Sequence, residues 1–77
     1  MMMSEKKIRL NQIKDVKEFV SVAGNCDFDI DVFYNRISID AKSIMGVLSL
    51  DLSQVLTVKY GGENAQFEDV LNKYSAA

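Results

Sequence analysis

The sequence predicts an α+β domain, a four-stranded antiparallel sheet with three helices on one face. Two observations carry this. Short runs in which apolar and polar residues alternate are interleaved with stretches whose apolar residues recur every three or four positions, giving the order strand, helix, strand, strand, helix, strand, helix. The polar members of the strand runs include Asp27, Asp29, Asp31 and Lys59, so one sheet face meets water while the other meets the helices. Antiparallel sheets accommodate that division, and parallel sheets are covered on both faces.

The first strand is expected over Lys6–Leu10, with Ile8 and Leu10 on one face, and residues 1–5 are expected to be disordered. Asn11 is suited to cap the helix that follows. Ile13, Val16, Phe19, Val20 and Ala23 give that helix one apolar face, and Gly24-Asn25 ends it. The clearest strand is Asp27–Tyr34, where Phe28, Ile30 and Val32 oppose the three aspartates. Asn35-Arg36 reads as a tight hairpin loop, with Arg36 required to adopt a backbone conformation that glycine takes more readily. Arg36–Asp40 returns as the partner strand, Ile37 and Ile39 facing inward. A short helix starts after Ser43. Leu50–Gln54 is a connection, Val55–Tyr60 the fourth strand, and Gly61-Gly62 its end. Ala65, Phe67, Val70, Leu71 and Tyr74 outline the last helix, with Asn64 as its cap.

Seventy-seven residues fit a single domain spanning 1–77, near the lower limit of what folds alone. A net charge of −2 gives no electrostatic reason for a nucleic-acid partner. The lone Cys26 rules out an intrachain disulfide and fits a reducing compartment. No apolar run approaches the ~20 residues that span a bilayer, and no signal peptide is visible, so a cytoplasmic protein without membrane contact is expected. The chain contains no histidine and no proline.

The stretch Asp40–Leu50 stands apart. Ser43 precedes a short oily turn, Ile44, Met45, Val47 and Leu48, and Gly46 limits the helix to one or two turns. Asp40 adds negative charge near the helix start. The run Ala41-Lys42-Ser43-Ile44-Met45-Gly46-Val47-Leu48-Ser49-Leu50 resembles the regulatory-serine segment of HPr, the small phosphocarrier of the bacterial sugar phosphotransferase system. The resemblance extends more weakly from Ile8 to the last helix and implies the HPr-like open-faced β-sandwich, βαββαβα.

HPr proteins carry a phosphoryl group on a histidine at the start of the first helix. Aligned without gaps from the serine segment, that position is Gln12. The family's basic neighbour falls at Lys14, where arginine is usual, and the following proline falls at Asp15. Gln12 is a neutral amide that is neither nucleophilic nor titratable, so phosphocarrier chemistry is excluded and no catalytic residue is assigned. A histidine-less relative of HPr in Gram-positive bacteria has glutamine at the carrier position and keeps the serine. The resemblance to it implies carbon catabolite regulation, with an HPr kinase/phosphorylase acting on Ser43 and a LacI-type repressor as protein partner. On that reading Ile44, Met45 and Leu48 form the contact patch, with Gln12 and Lys14 beside it, and Lys14 is a counter-charge for phosphorylated Ser43.

From residue type alone, Ser43 reads as a helix cap and Ile44, Met45 and Leu48 as packing; the match of its neighbours to HPr is what raises the phosphosite reading. A degenerate HPr-fold interaction domain that is never phosphorylated fits the same residues, and Lys14 and Asp15 favour it. Asp27, Asp29 and Asp31 lie roughly 6.6–7 Å apart along a strand face, too far for one cation, so no metal or cofactor is expected. Cys26 has no histidine to activate it. Exposed apolar surface in so small a domain allows a monomer or a weak homodimer, including one formed by strand exchange.

Overall fold

The computed structural model describes residues 3–76. Its elements follow the expected order: β1 (Ser4–Ile8), α1 (Ile13–Gly24), β2 (Ile30–Tyr34), β3 (Ile37–Asp40), α2 (Ile44–Leu48), β4 (Leu56–Tyr60) and α3 (Ala65–Lys73). Every strand pairing is antiparallel, and the strands lie in the order β1-β4-β2-β3. Register places Ile8 opposite Leu56, Val32 opposite Val58 and Ile30 opposite Tyr60, so these side chains share one face. They are buried with Val16, Phe19 and Ala23 of α1, Val47 of α2, and Phe67, Val70 and Leu71 of α3. The result is the open-faced sandwich, with all three helices contributing to one core.

Aromatic rings occupy the middle of that core. The Phe67 ring lies 5.1 Å from Tyr60, 6.0 Å from Phe19 and 6.3 Å from Phe28, centroid to centroid. The buried Tyr60 hydroxyl donates to Glu68 Oε2 at 2.5 Å, which satisfies a polar atom that would otherwise be costly to bury. Phe28 approaches so closely that a Cβ on Gly62 would lie 2.2 Å from its ring, which explains a glycine there. On the open face, Lys59 pairs with Glu5 at 3.6 Å, stands opposite Asp31, and sits 4.8 Å over the Phe33 ring.

Several boundaries differ from expectation. β1 begins at Ser4, so Ser4 and Glu5, expected to be disordered, pair with Tyr60 and Lys59; Met1 and Met2 lie outside the described residues. Leu10 is buried but past the ladder, because the Arg9 N–H donates to Tyr74 O at 2.9 Å and the C-terminal segment takes over the pairing. β2 begins at Ile30, leaving Asp27 in a bend and Asp29 in the irregular residue before the strand. The cause is the end of α1: the N–H groups of Asn25 and Cys26 fold back to Val22 O and Ala23 O, both at 3.1 Å, and the chain then needs three residues to reach the sheet. At the hairpin only Asn35 has positive φ, 54°, and Arg36 does not share it. Asparagine tolerates that region, and one such residue closes this loop. Ile37 is 48% exposed rather than inward-packed, because it stands at the hairpin end of an edge strand.

Candidate functional site

Local hydrogen bonds shape the Ser43 corner. Ala41 is buried, and its N–H donates to Ile30 O at 2.9 Å, which fixes the chain leaving β3. Asp40 Oδ1 accepts the Lys42 N–H at 2.9 Å, and Asp40 O accepts the Ser43 N–H at 3.0 Å. Ser43 is thereby held extended, and its Oγ accepts the Gly46 N–H at 3.2 Å, the N-cap bond of α2. Gly46 is required by a close approach, since a Cβ there would lie 2.6 Å from Ile39 Cγ2. Val47 is buried and pins the five-residue helix, while Met45 is 77% exposed and Leu48 is also exposed. Ile44, expected with them in the contact patch, is half-buried and packs against the core. Ser43 itself is exposed.

The second corner is the start of α1. Gln12, and not Asn11, occupies the N-cap position, and both residues serve as donors. Asp15 Oδ2 accepts the N–H groups of Asn11 and Gln12 at 3.1 and 3.0 Å, so a carboxylate inside the first turn closes the helix end that a proline in its place could not. Asp15 is only 8% exposed. Its Oδ1 accepts the Tyr74 hydroxyl at 3.3 Å, and the same hydroxyl is hydrogen-bonded to Glu18. Glu18 in turn accepts from Lys73 Nζ at 2.9 and 3.2 Å.

Burial pushes the Asp15 carboxyl up. The backbone N–H groups of Gln12 and Asn11, the Tyr74 hydroxyl and the nearby Lys14 charge together outweigh it and hold the group below its usual range. Hydrogen bonds from Tyr74 and Lys73 lower Glu18. Burial, then the Glu18 carboxylate and the charge of Asp15, raise the Tyr74 phenol. Gln12 is exposed, and Lys14 lines a small open groove of about 210 Å³ with Asp15, Glu18, Lys73 and Tyr74. No hydrogen bond joins Lys14 to Ser43 among the described residues, although α1 packs on α2. Lys42, the neighbour of Ser43 in sequence, directs its ammonium to Cys26 O, to which it donates at 3.0 Å.

Chemically, the α1 corner presents a neutral amide and an anion and no nucleophile, and the Ser43 corner presents an accessible hydroxyl beside an apolar knob. Sequence reasoning does not bring Glu18, Lys73 and Tyr74 to the α1 corner; the fold does. The Asp15 cap was detectable, since Gln12-x-x-Asp15 has the spacing of a capping box. The Tyr74 contact joins residues 59 apart in sequence and left no local signal.

Residues 13–76 match the family described as the PTS HPr component phosphorylation site. No curated protein matches the chain. Among the solved structures similar in fold are two HPr proteins. One is the phosphocarrier protein HPr from Bacillus anthracis strain Ames, with a TM-score of 0.74, 23% identity, and coverage of 97% of this chain and 100% of that one. The other is HPr-C-His from Thermoanaerobacter tengcongensis, with a TM-score of 0.74, 24% identity, and coverage of 95% and 93%.

Proposed function

Because this chain belongs to the HPr family, we propose that it is a family member that has exchanged phosphoryl carriage for regulation by protein contact in a bacterial cytoplasm. One observation carries the proposal. The chain has no histidine and seals the start of α1 with its own Asp15 carboxylate, yet it keeps Ser43 exposed beside Met45 and Leu48. Ser43 is the phosphorylation site of this reading, an HPr kinase/phosphorylase its modifying enzyme, and a LacI-type regulator of carbon catabolite genes the partner of the phosphorylated form. The phosphate adds close to two negative charges at the docking knob, which changes what can bind there. Met45, flexible and polarisable, supplies apolar contact that adapts to a partner surface.

The test is intact mass after incubation with an HPr kinase/phosphorylase, ATP and Mg²⁺, with Ser43→Ala as control. A gain of one phosphate in the parent alone is expected. No gain, with the kinase active on a histidine-bearing HPr, refutes the switch. A second reading, an HPr-fold interaction domain that is not phosphorylated, is favoured by Lys14 and Asp15, which depart from the family's arginine and proline. It is supported if the unmodified protein alone captures the partner.

A further inference from the structure

The two edges of the sheet are not alike. The outer side of β1 is partly closed by the C-terminal segment: Ala76 N–H donates to Lys7 O at 3.0 Å, Arg9 N–H to Tyr74 O at 2.9 Å, and Ile8 bridges Ser75. The outer side of β3 pairs with no strand among the described residues. Its protection as an edge is limited to its shortness and the charge of Asp40: it has no lysine, proline or bulge within Ile37–Asp40, and Ile37 is 48% exposed.

The direction of its free backbone groups is fixed. The Ala41 N–H donates inward to Ile30 O at 2.9 Å, and Tyr34 and Ile37 are paired across the two-residue loop. Backbone groups alternate along an antiparallel ladder, so residues 37, 39 and 41 turn theirs to β2 and Ser38 presents both of its groups to solvent; beyond it Arg36 lies in the loop, and Asp40 O already accepts the Ser43 N–H at 3.0 Å. Side chains alternate as well. Ile39 touches α2 at Gly46, which puts Ile37 and Ile39 on the helix-covered face and Ser38 and Asp40 on the open one.

We propose that a second copy of this chain docks here, β3 against β3, antiparallel about a two-fold axis through Ser38, joining two four-stranded sheets into one of eight strands. In that register the outward backbone groups of Ser38 face their own copies. Arg36 stands opposite Asp40 of the second copy, and Ile37 opposite Ile39 of the second copy. Both layers of the seam are then matched: two opposite-charge pairs on the open face and a continuous row of isoleucines under the helices. Moving the axis to Arg36 or to Asp40 sets like charges against each other, and slipping by one residue puts isoleucine over polar side chains. Arg36, in the loop before β3, and Asp40, at its end, therefore select one register out of those the backbone permits. The seam is short, about 14 Å for four residues, so the dimer is weak and concentration-dependent.

Ser38→Cys tests the axis. Hydrogen-bonded antiparallel partners have Cα atoms about 5.5 Å apart, within the disulfide range of about 4.4–6.8 Å. Under a glutathione redox buffer at about 1 mM protein, a concentration that populates weak dimers, Ser38→Cys forms a covalent dimer. The parent, whose Cys26 is buried, and a Ser53→Cys control in an exposed loop do not. In sedimentation equilibrium the parent's mass rises with concentration. Arg36→Glu weakens the dimer about 10- to 100-fold by replacing two attractive pairs with two repulsive ones, and Arg36→Glu/Asp40→Lys recovers it. A parent that stays monomeric to about 1 mM overturns the proposal. So does a dimer that Ser38→Cys fails to trap and Arg36→Glu leaves intact, the behaviour of strand exchange at another edge.

Discussion

Replacing Ser43 by alanine removes the side-chain cap at the start of α2. The helix has five residues, far below the ~12–15 at which a helix begins to hold by itself in water, so it depends on its ends and on Val47. At the C-terminal end, Ser49 Oγ donates to Gly46 O at 2.5 Å and remains in the variant. At the N-terminal end, the Gly46 N–H loses the 3.2 Å bond to Ser43 Oγ. That N–H lies at the surface, where water takes over part of the bond, so the cost falls near the middle of the range for lost caps, about 1 kcal/mol. In a domain of this size 1 kcal/mol is about 4–8 °C in Tm. Ser43→Asp keeps an acceptor at the cap and adds favourable charge at the helix start, so its Tm stays within about 2 °C of the parent. Thermal unfolding by circular dichroism, with urea midpoints and m-values alongside, separates the three proteins. If Ser43→Ala melts within about 1 °C of the parent, or if Ser43→Asp falls as far as Ser43→Ala, the hydroxyl is not holding α2 and the reasoning fails. The ranking also decides how the phosphoswitch would act, because a modified Ser43 that still caps leaves Met45 and Leu48 presented and changes only the charge beside them.

Two further outcomes follow from the packing and the polar network. Phe67→Ala removes a fully buried ring that meets Phe19, Phe28 and Tyr60, at a cost of about 3–5 kcal/mol; a domain of this length has total stability on the order of 4–12 kcal/mol, so urea denaturation is expected to show the variant partly or wholly unfolded at 37 °C, and a loss below about 1 kcal/mol would contradict this packing. The Asp15 carboxyl is depressed in the folded state, so the stability it contributes is present above its unfolded value of about 3.9 and is lost as pH falls through the lower folded value; Asp15→Asn is expected to show a shallower loss of stability below about pH 4 than the parent in urea titrations, and identical slopes would remove Asp15 from the linkage.

Element type and order were legible because they are local. Apolar spacing marked α1 and α3, Asn64 capped α3 through a 2.9 Å bond from the Phe67 N–H, and Ser43 capped α2. What was not legible was set by partners distant in sequence. The aspartates at 27, 29 and 31 alternate as a strand would, yet Asp27 and Asp29 are spent on the path from α1 to the sheet. Leu10 has the alternation of a strand residue, but Tyr74 O captures the neighbouring Arg9 N–H. Ile37 lies on the helix side of the sheet by period and yet stays 48% exposed, because β3 is an edge. At the site, Ile44 is half-buried against the core while Met45 and Leu48 are exposed, because a one-turn helix can expose only part of its surface.

The start of α1 shows why the absence of histidine from the chain is only half of the matter. A helix start offers unpaired N–H groups to an anion, and this is the feature that any phosphoryl acceptor there would use. Proline has no side-chain acceptor with which to close such a helix end; aspartate does. Asp15 spends its carboxylate on the N–H groups of Asn11 and Gln12, and Tyr74 and Lys14 favour its ionised form. An anion arriving at Gln12 would meet a fixed negative charge and N–H groups already in use. Gln12 offers no nucleophile and Asp15 leaves no free reception for an anion, two features of one corner that act against the same chemistry. The Ser43 corner carries no comparable obstruction: its hydroxyl is exposed and its neighbours Met45 and Leu48 remain open to a partner. The asymmetry between the two corners, rather than the absence of histidine alone, is the physical argument for regulation over carriage.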